Sequence, residues 1–219
     1  MLLKKVYKKK ILITGGTGLL GKYFYNKYRR VYNIKKYPHR IEHFKKLENW
    51  VKNKKLDYFI HFAAITKNES KKYQNLLNVV NVKSPIKILK ILNKYKQIKL
   101  KYFLFISSSH VYGYSHKKIP EFKKRNPNNV YGKTKKKVED YIINNRKRFS
   151  FKIGIARVFN STGPKQKKGN FVPDMISKMK NINKIKNINQ FRDFIHIDDV
   201  SKSIELMIKK EIESPVNLS

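Results

Sequence analysis

The stretch Thr14-Gly15-Gly16-Thr17-Gly18-Leu19-Leu20-Gly21 follows the apolar run 11–13 near the start of this 219-residue chain. Its glycines satisfy both a GxxGxxG and a GxGxxG spacing. A glycine-rich turn between a strand and a helix lets the backbone approach a pyrophosphate, which the free N–H groups of the helix then bind. The stretch therefore predicts a dinucleotide site that uses Gly15, Gly18, Leu19, Leu20 and Gly21.

Short apolar runs alternate along the chain with longer segments of helical periodicity, which is typical of a parallel sheet covered by helices. The predicted strands are residues 10–14, 31–34, 57–63, 102–107 and 151–158. Segments 41–51, 76–92 and 133–143 are predicted helices, with a kink or a second helix start at Ser84-Pro85. The strands are continuously apolar, so helices are expected on both faces. These patterns predict a doubly wound α/β fold.

The pattern changes after residue 158. A loop at 160–164 is followed by a predicted helix at 171–179, a strand at 191–197, a helix at 198–208 and the start of a strand at 215–219. We expect residues 1–159 to form a nucleotide-binding Rossmann domain. Residues 160–219 are expected to begin a small second lobe that is incomplete, with residues 198–210 packing back on the first domain.

The formal charge of +38 is extreme, but lysines spread over almost every segment carry most of it. This spread, without any zinc-finger, basic-zipper or RNA-recognition signature, argues against nucleic acid as the partner. The charge still concentrates anionic ligands such as nucleotides near the surface. With no Cys, no apolar run of membrane-spanning length and no signal peptide, a cytoplasmic location without membrane contact is expected.

The end of the second predicted strand bears on the adenosine half of a dinucleotide. An acidic residue there would bind the ribose 2′-hydroxyl, but this chain has Lys35 and Lys36, with Arg40 soon after. Basic side chains suit a 2′-phosphate. The cofactor is therefore expected to be NAD or NADP, with Lys35 favouring NADP.

A Tyr and a Lys four residues apart occur five times, at Tyr23, Tyr32, Tyr95, Tyr114 and Tyr131. Composition alone predicts roughly three such pairs by chance, so context has to select among them. The Tyr131 pair follows the Ser-rich strand end 107–109 by one loop and opens a predicted helix. Tyr131 and Lys135 then lie on one helix face, where an ammonium would lower the phenol pKa. Ser108 could orient a substrate oxygen beside them.

Six ordered motifs resemble the extended short-chain dehydrogenase/reductases, specifically the NAD-dependent epimerase/dehydratase group that acts on nucleotide sugars. They are residues 14–21, residues 61–64, residues 107–113, the pair Tyr131 and Lys135, residues 157–164 and residues 192–196. The resemblance covers essentially the whole chain.

The resemblance implies roles for individual residues. Ser108, Tyr131 and Lys135 would be the catalytic triad, with Tyr131 and Lys135 also touching the cofactor, and Ala63 and Ala64 would pass close to it. Ser108 and Ser109 would contact the substrate. Two further residues would contact the nucleotide sugar, Asn160 and Asn170, and Arg192 would approach its phosphates. His61 and His196 are expected to be structural, and no metal is implied. A homodimer through a helix pair is a further implication.

The implied activity is epimerisation by hydride transfer at the sugar C4. Reduction of a 4-keto-6-deoxysugar is the alternative, because residues 157–166 also resemble the reductases that finish GDP-deoxyhexoses. Dehydratases of the group carry acidic residues after the catalytic hydroxyl, whereas this chain has Ser109 and His110. An inactive fragment or a non-catalytic nucleotide- or nucleic-acid-binding protein is the alternative from another class.

Overall fold

The computed structural model describes residues 8–66, 72–179 and 192–219. Its main sheet has six parallel strands in the order β2-β1-β3-β4-β5-β8. The strands are β1 (Lys10–Thr14), β2 (Asn33–Lys36), β3 (Tyr58–His61), β4 (Tyr102–Ser108), β5 (Lys152–Val158) and β8 (Pro215–Leu218). Two short strands, β6 (Asn160–Thr162) and β7 (Phe194–His196), pair in parallel beside it. The predicted doubly wound parallel sheet is confirmed.

Seven α-helices occur in the described residues. They are α1 (Leu19–Tyr28), α2 (Phe44–Val51), α3 (Gln74–Asn78), α4 (Ser84–Lys94), α5 (Val130–Asn145), α6 (Phe171–Lys178) and α7 (Ile197–Lys210). Neither these helices nor any other part of the described ranges offers a helix long and apolar enough to cross a lipid bilayer.

The continuously apolar strands are buried on both faces, as their composition predicts. Ile11 and Ile13 on β1 pack with α1 and α7, whereas Leu12 packs with α2, α4 and α5. The fully buried rings of Phe59 and Phe103, on neighbouring strands, stack with their centroids 5.4 Å apart. Each such side chain contributes about 1.5–3 kcal/mol by leaving water. These two apolar layers hold the carboxyl ends of the strands in a fixed arrangement.

The predicted second strand is wrong by two residues, because β2 begins at Asn33 and not at residue 31. Val31 is exposed in the turn after α1. Tyr32 is buried there because its ring packs against Tyr28 and its hydroxyl donates to Glu205 at 2.7 Å. Val31 and Tyr32 therefore belong to the turn after α1, and strand β2 itself is mostly polar.

Two other predictions need correction in the region after β5. Residues 160–162 are β6, not loop, because their backbone pairs with β7. The predicted strand 191–197 is shorter, at Phe194–His196, and residue 191 lies outside the described residues. Strand β8 joins the main sheet next to β5, and α7 contacts α1. The division of the chain at residue 159 stays a prediction.

Ser84-Pro85 does start a helix, but the segment before it has an unexpected form. Residues Val79–Lys83 make one turn of π-helix between α3 and α4. The Ser84 hydroxyl donates to the carbonyl of Val79 at 2.8 Å. Single π-helical turns are frequent at functional sites, because they turn a side chain away from the regular helical face. Here the π-turn carries two buried side chains, the apolar Val80 and the polar Asn81.

Candidate active site

The glycine-rich turn connects β1 to α1 at the carboxyl edge of the sheet. Gly15 has a φ of 68°, and a Cβ added there would lie 2.5 Å from the backbone nitrogen of Ala63. A Cβ on Gly21 would lie 2.4 Å from the carbonyl oxygen of Gly15. Both glycines are therefore required for close packing of the turn against α1 and the segment after β3.

The N-terminus of α1 is suited to an anion. Gly18 caps it in an extended conformation and supplies no side-chain hydrogen bond, and the first turn contains no acidic residue. The first N–H groups of a helix, including those of Leu19 and Leu20, point along the axis and carry its positive partial charge. A pyrophosphate fits this end of the helix.

The two lysines at the end of β2 lie on different faces of the sheet. Lys35 is paired with Leu12 in the β1–β2 register, and Lys36 with Ile13, so their side chains alternate. Lys36 lies against the glycine turn, because a Cβ on Gly16 would be 2.8 Å from its Cδ. Its Nζ is 4.3 Å from the centroid of the Tyr25 ring. Lys36, rather than Lys35, is therefore the lysine next to the turn.

The strand end after β3 is tied to β1 through His61. Its Nδ1 is 2.8 Å from the Thr14 hydroxyl, which also accepts a hydrogen bond from the backbone N–H of Ala63 at 3.4 Å. Burial, helped by the positive charge of Lys135, lowers the pKa of His61 to about 3. His61 is therefore neutral at physiological pH, and it supports the backbone N–H of Ala63 only through the Thr14 hydroxyl. Ala63 and the neighbouring Ala64 are half-buried along the edge of the turn.

Asn81 is a site residue that the sequence did not reveal. It is 1% exposed, and its carboxamide accepts from the backbone N–H of Ile65 at 2.8 Å and donates to the carbonyl of Ile65 at 2.9 Å. Its amide also donates to the Thr134 hydroxyl at 3.3 Å. Asn81 thus connects the segment after Ala63 to the helix of Tyr131. Asn81 is distinguished by its place in the π-turn Val79–Lys83, and no sequence pattern predicts that turn.

Strand β4 ends in the serines predicted to carry chemistry. Ser108 is buried, and its hydroxyl accepts from the backbone N–H of His110 at 3.3 Å in a short 3-10 turn. Ser109 is half-buried in the same turn. A Cβ on Gly132 of α5 would lie 2.3 Å from the carbonyl oxygen of His110. The glycine after Tyr131 therefore lets the helix pack directly on the serine turn.

Helix α5 brings Tyr131 to Ser108. The helix is capped by Asn129, whose side-chain oxygen accepts from the N–H of Gly132 at 2.9 Å. The Tyr131 side chain faces Ser108, whose hydroxyl acts to lower the phenol pKa, and the Tyr131 ring meets the His110 ring edge-on with centroids 5.7 Å apart. A phenol and a serine hydroxyl in contact form a site that can hold one substrate oxygen and exchange its proton.

Lys135 lies below this pair, one helical turn further along. It is 2% exposed; its Nζ donates to the carbonyl of Ile106 at 2.8 Å and lies 5.8 Å from the centroid of the Tyr131 ring. Burial lowers the pKa of Lys135 to about 7, although the charge of Glu139 opposes that shift. The lysine is therefore poised between its charged and neutral forms near neutral pH.

The expected lowering of the Tyr131 pKa is not what the geometry gives. Burial raises the pKa of Tyr131 to about 12, and the Ser108 side chain only partly offsets it. Lys135, whose own pKa is about 7, is neutral at the pH where this phenol would ionise, so its charge does not offset the burial. The phenol is accordingly protonated at neutral pH and is a proton donor.

Three of the predicted substrate residues, Asn160, Asn170 and Arg192, lie in or beside β6, α6 and β7, whereas Ser108 and Ser109 end β4. The Asn160 amide donates to the carbonyl of Asp193 at 2.9 Å, and the Asn170 amide donates to that of Lys167 at 2.9 Å. The guanidinium of Arg192 lies 4.6 Å from the centroid of the Phe171 ring. A cavity of about 550 Å³ lies beside α6. Asn160 follows β5 by two residues, and the last residue of β5, Val158, pairs with Ser108.

Comparison with known proteins identifies the family. The sequence profile described as the NAD dependent epimerase/dehydratase family matches residues 11–218. The chain belongs to this family. Its relatives and structural neighbours include nucleotide-sugar dehydratases and epimerases, so the recognised resemblance is confirmed.

Three similar proteins illustrate the range of the family. A dTDP-D-glucose 4,6-dehydratase of Dictyostelium discoideum is 26% identical over 97% of this chain, and the chain spans 58% of that relative's length. A UDP-glucose 4-epimerase from Thermotoga maritima, solved with UDP-glucose, superposes with a TM-score of 0.82 at 23% identity, covering 95% of this chain and 76% of that one. The structure of RMD from Pseudomonas aeruginosa with NADPH superposes with a TM-score of 0.78 at 24% identity, covering 96% of this chain and 78% of that one.

Proposed function

We propose that the protein is an NAD(P)-dependent nucleotide-sugar epimerase that acts at the sugar C4, with Tyr131 as acid and base. The observation that carries the proposal is that Ser108, Tyr131 and the buried Lys135 lie together at the end of β4, where Lys135 Nζ donates to the carbonyl of Ile106 and lies 5.8 Å from the centroid of the Tyr131 ring. This group lies at the carboxyl edge of a parallel sheet, the edge that also carries the glycine turn of Gly15 and Gly21. Sites of doubly wound sheets lie at that edge.

The residues fit a dinucleotide. Gly15, Gly18, Leu19, Leu20 and Gly21 would hold the pyrophosphate at the start of α1, with Ala63 and Ala64 beside it. Lys36, which lies against the turn, would face the adenosine ribose, which favours NADP, whereas the predicted Lys35 projects from the other face of the sheet. The similar protein from Pseudomonas aeruginosa was solved with NADPH, whereas the family description names NAD. When bound, the nicotinamide supplies the group that accepts and returns a hydride.

The chain's own residues divide the remaining work. Tyr131 would donate and accept the hydroxyl proton of the sugar, and Ser108 would hold the same oxygen by a second hydrogen bond, with Ser109 beside it. Lys135 would hold the nicotinamide ribose and stabilise the phenolate when it forms. Because burial favours the neutral phenol, a positive charge close to Tyr131 is needed for it to act as a base.

A nucleotide sugar is the proposed substrate. Asn160 and Asn170 would contact it and Arg192 would approach its phosphates, with the cavity beside α6 offering room. The UDP-glucose in the Thermotoga maritima epimerase supports this class of ligand. We also infer a cytoplasmic enzyme and a homodimer formed through a helix pair that includes α5.

Reduction of a nucleotide 4-keto-6-deoxysugar is the second candidate. The sequence at residues 157–166 and the NADPH in the Pseudomonas aeruginosa structure favour it. Dehydration is less well supported, because Ser109 and His110 stand where elimination of water would require carboxylates.

Incubation with UDP-galactose, UDP-glucose and GDP-4-keto-6-deoxymannose tests these proposals. We expect turnover of one substrate and loss of that turnover in Tyr131→Phe. The variant should still bind NAD(P)H, with the same change in cofactor fluorescence as the parent protein. Tyr141→Phe, on the same helix but outside the site, is the control and should keep full activity. Absence of both turnover and cofactor binding would refute the enzymatic proposals, and salt-dependent retention on DNA would then favour the non-catalytic alternative.

A further inference from the structure

Glu139 is a fully buried carboxylate with no role in the proposed reaction. Its exposed fraction is 0%, and its oxygens accept from the Ser107 hydroxyl at 2.5 Å, Arg125 Nη1 at 3.0 Å and Arg157 Nη2 at 2.7 Å. Arg157 Nε also lies 3.2 and 3.1 Å from the two oxygens. This many donors hold a buried carboxylate in one orientation.

Glu139 continues the row of site residues on α5. Tyr131, Lys135 and Glu139 follow one another at intervals of four, which places them on one face of the helix. Each of them lies against the end of β4: Lys135 donates to the carbonyl of Ile106, Glu139 accepts from the Ser107 hydroxyl, and Tyr131 faces Ser108. Three consecutive strand residues therefore meet three successive turns of the helix.

Few titratable groups of the described residues face Lys135. Glu139 faces it from its own helix, His61 from β3 is neutral, and Tyr131 is a neutral phenol. Glu139 in turn faces Arg157 on β5 and Arg125 in the segment before α5. Among these groups Glu139 is the one negative charge that acts on Lys135, and it raises the lysine pKa against the larger effect of burial.

We propose that Glu139 is a positioning residue for the Ser108, Tyr131 and Lys135 group: its carboxylate joins α5 to the strand end that carries Ser108 and provides the negative charge that balances the Lys135 ammonium. The catalytic meaning of this role rests on the proposed function, since Lys135 matters for chemistry only if the site handles a nicotinamide. The effect on Lys135 itself does not depend on that function and can be measured directly.

The experiment follows the titration of Lys135 in protein whose lysines carry ¹³C at Cε. Because lysine in model peptides titrates near pH 10.4, a lysine that titrates near neutral pH gives a distinct signal. Its absence in Lys135→Met assigns the signal. In Glu139→Gln, which keeps the size of the side chain, we expect the midpoint to fall by about one pH unit because a facing charge is lost. Asp140→Asn is the matched control: Asp140 also pairs with Arg125, at 2.8 Å, and its loss should leave the midpoint in place.

A second variant keeps the test valid if the Glu139→Gln protein does not fold. Glu139→Gln leaves Arg157 buried without its partner, whereas Glu139→Gln combined with Arg157→Met replaces the whole pair by neutral groups, which proteins tolerate better. The same downward displacement is expected in it. An unchanged midpoint in a folded Glu139 variant would overturn the proposal.

NADH and NADPH fluorescence on the same samples distinguishes a failure of the proposed function from a failure of the role proposed for Glu139. If the parent protein binds neither cofactor while the Lys135 midpoint moves as expected, the proposed function fails and the link between Glu139 and Lys135 stands. If the cofactor binds and the midpoint does not move, the role of Glu139 fails and the proposed function stands.

Discussion

The carboxamide of Asn81 bonds both backbone groups of Ile65, at 2.8 Å to the N–H and 2.9 Å to the carbonyl. Two bonds to one residue fix the direction of the chain as it leaves Ala63 and Ala64. A buried carboxamide with both ends satisfied is favourable, but its removal leaves backbone groups unpaired.

Asn81→Leu should therefore reduce the free energy of unfolding by about 1–3 kcal/mol, the cost of unpaired buried backbone groups. Urea denaturation measures this. Asn78→Leu, at an exposed position on the preceding turn, should change it by no more than about 0.5 kcal/mol. Equal effects at both positions would mean that the bonds to Ile65 contribute nothing.

Gly15→Ala should destabilise the protein and abolish NAD(P)H binding, because the new methyl group would lie 2.5 Å from the Ala63 nitrogen. Gly169→Ala is a matched control: its φ is 89°, but no atom of the described residues lies within 4 Å of the added Cβ. That variant should lose only the roughly 1–2 kcal/mol of backbone strain and keep cofactor binding. Retained binding in Gly15→Ala would contradict the position assigned to the turn.

The pKa of Lys135 makes stability depend on pH. The pKa is about 7 in the folded protein and 10.5 for a free lysine, so the unfolded chain binds the extra proton between these values. The free energy of unfolding should accordingly rise with pH across that window, and the cost of burying this ammonium is fully present below about pH 7.

Lys135→Met should therefore be more stable than the parent at pH 7, by an amount on the order of a few kcal/mol that shrinks toward pH 10. Urea denaturation at several pH values measures this difference. Lys136→Met, at a half-exposed neighbour, is the matched control for the loss of a lysine from the same helix. A pH-independent difference for Lys135→Met would mean that its pKa is not lowered by burial.

Lys36→Ala should weaken NADPH binding more than NADH binding, because Lys36 lies against the glycine turn and Lys35 projects from the other face. Fluorescence titration of both cofactors measures the ratio of affinities. We expect that ratio to change by roughly tenfold in Lys36→Ala, the effect of one charge-assisted contact, and to stay nearly constant in Lys35→Ala. A larger change in Lys35→Ala would reverse the assignment.

The parts of the fold and site that depend on local patterns were predictable from the sequence. Apolar runs placed β1, β3, β4 and β5, and helical periodicity placed α2, α5 and α7. The glycine turn and the approach of Tyr131 to Ser108 followed from their position between those elements. Each of these features depends on residues close together in the chain, where periodicity and turn chemistry act.

The remaining features depend on contacts between distant residues. Strand β2 is polar and is defined by its partner β1, while Asn81 is placed by a π-turn. Glu139 is recognisable as a site residue only once Ser107 and Arg157 are known to surround it. The raised pKa of Tyr131 likewise reflects burial, which a spacing of four residues does not reveal.

Strand β8 has a consequence for how the chain folds during synthesis. It is four residues long, and it covers the outer edge of β5, where Leu218 pairs with Val158. The Asn217 side chain accepts from the Tyr112 hydroxyl at 2.8 Å and donates to the carbonyl of Ile119 at 2.7 Å. Until residue 218 has left the ribosome, a nascent chain presents the edge of β5 to other unfinished chains, which is a risk for aggregation. Variants that slow synthesis between β5 and β8 should therefore lower the yield of folded protein without changing its stability.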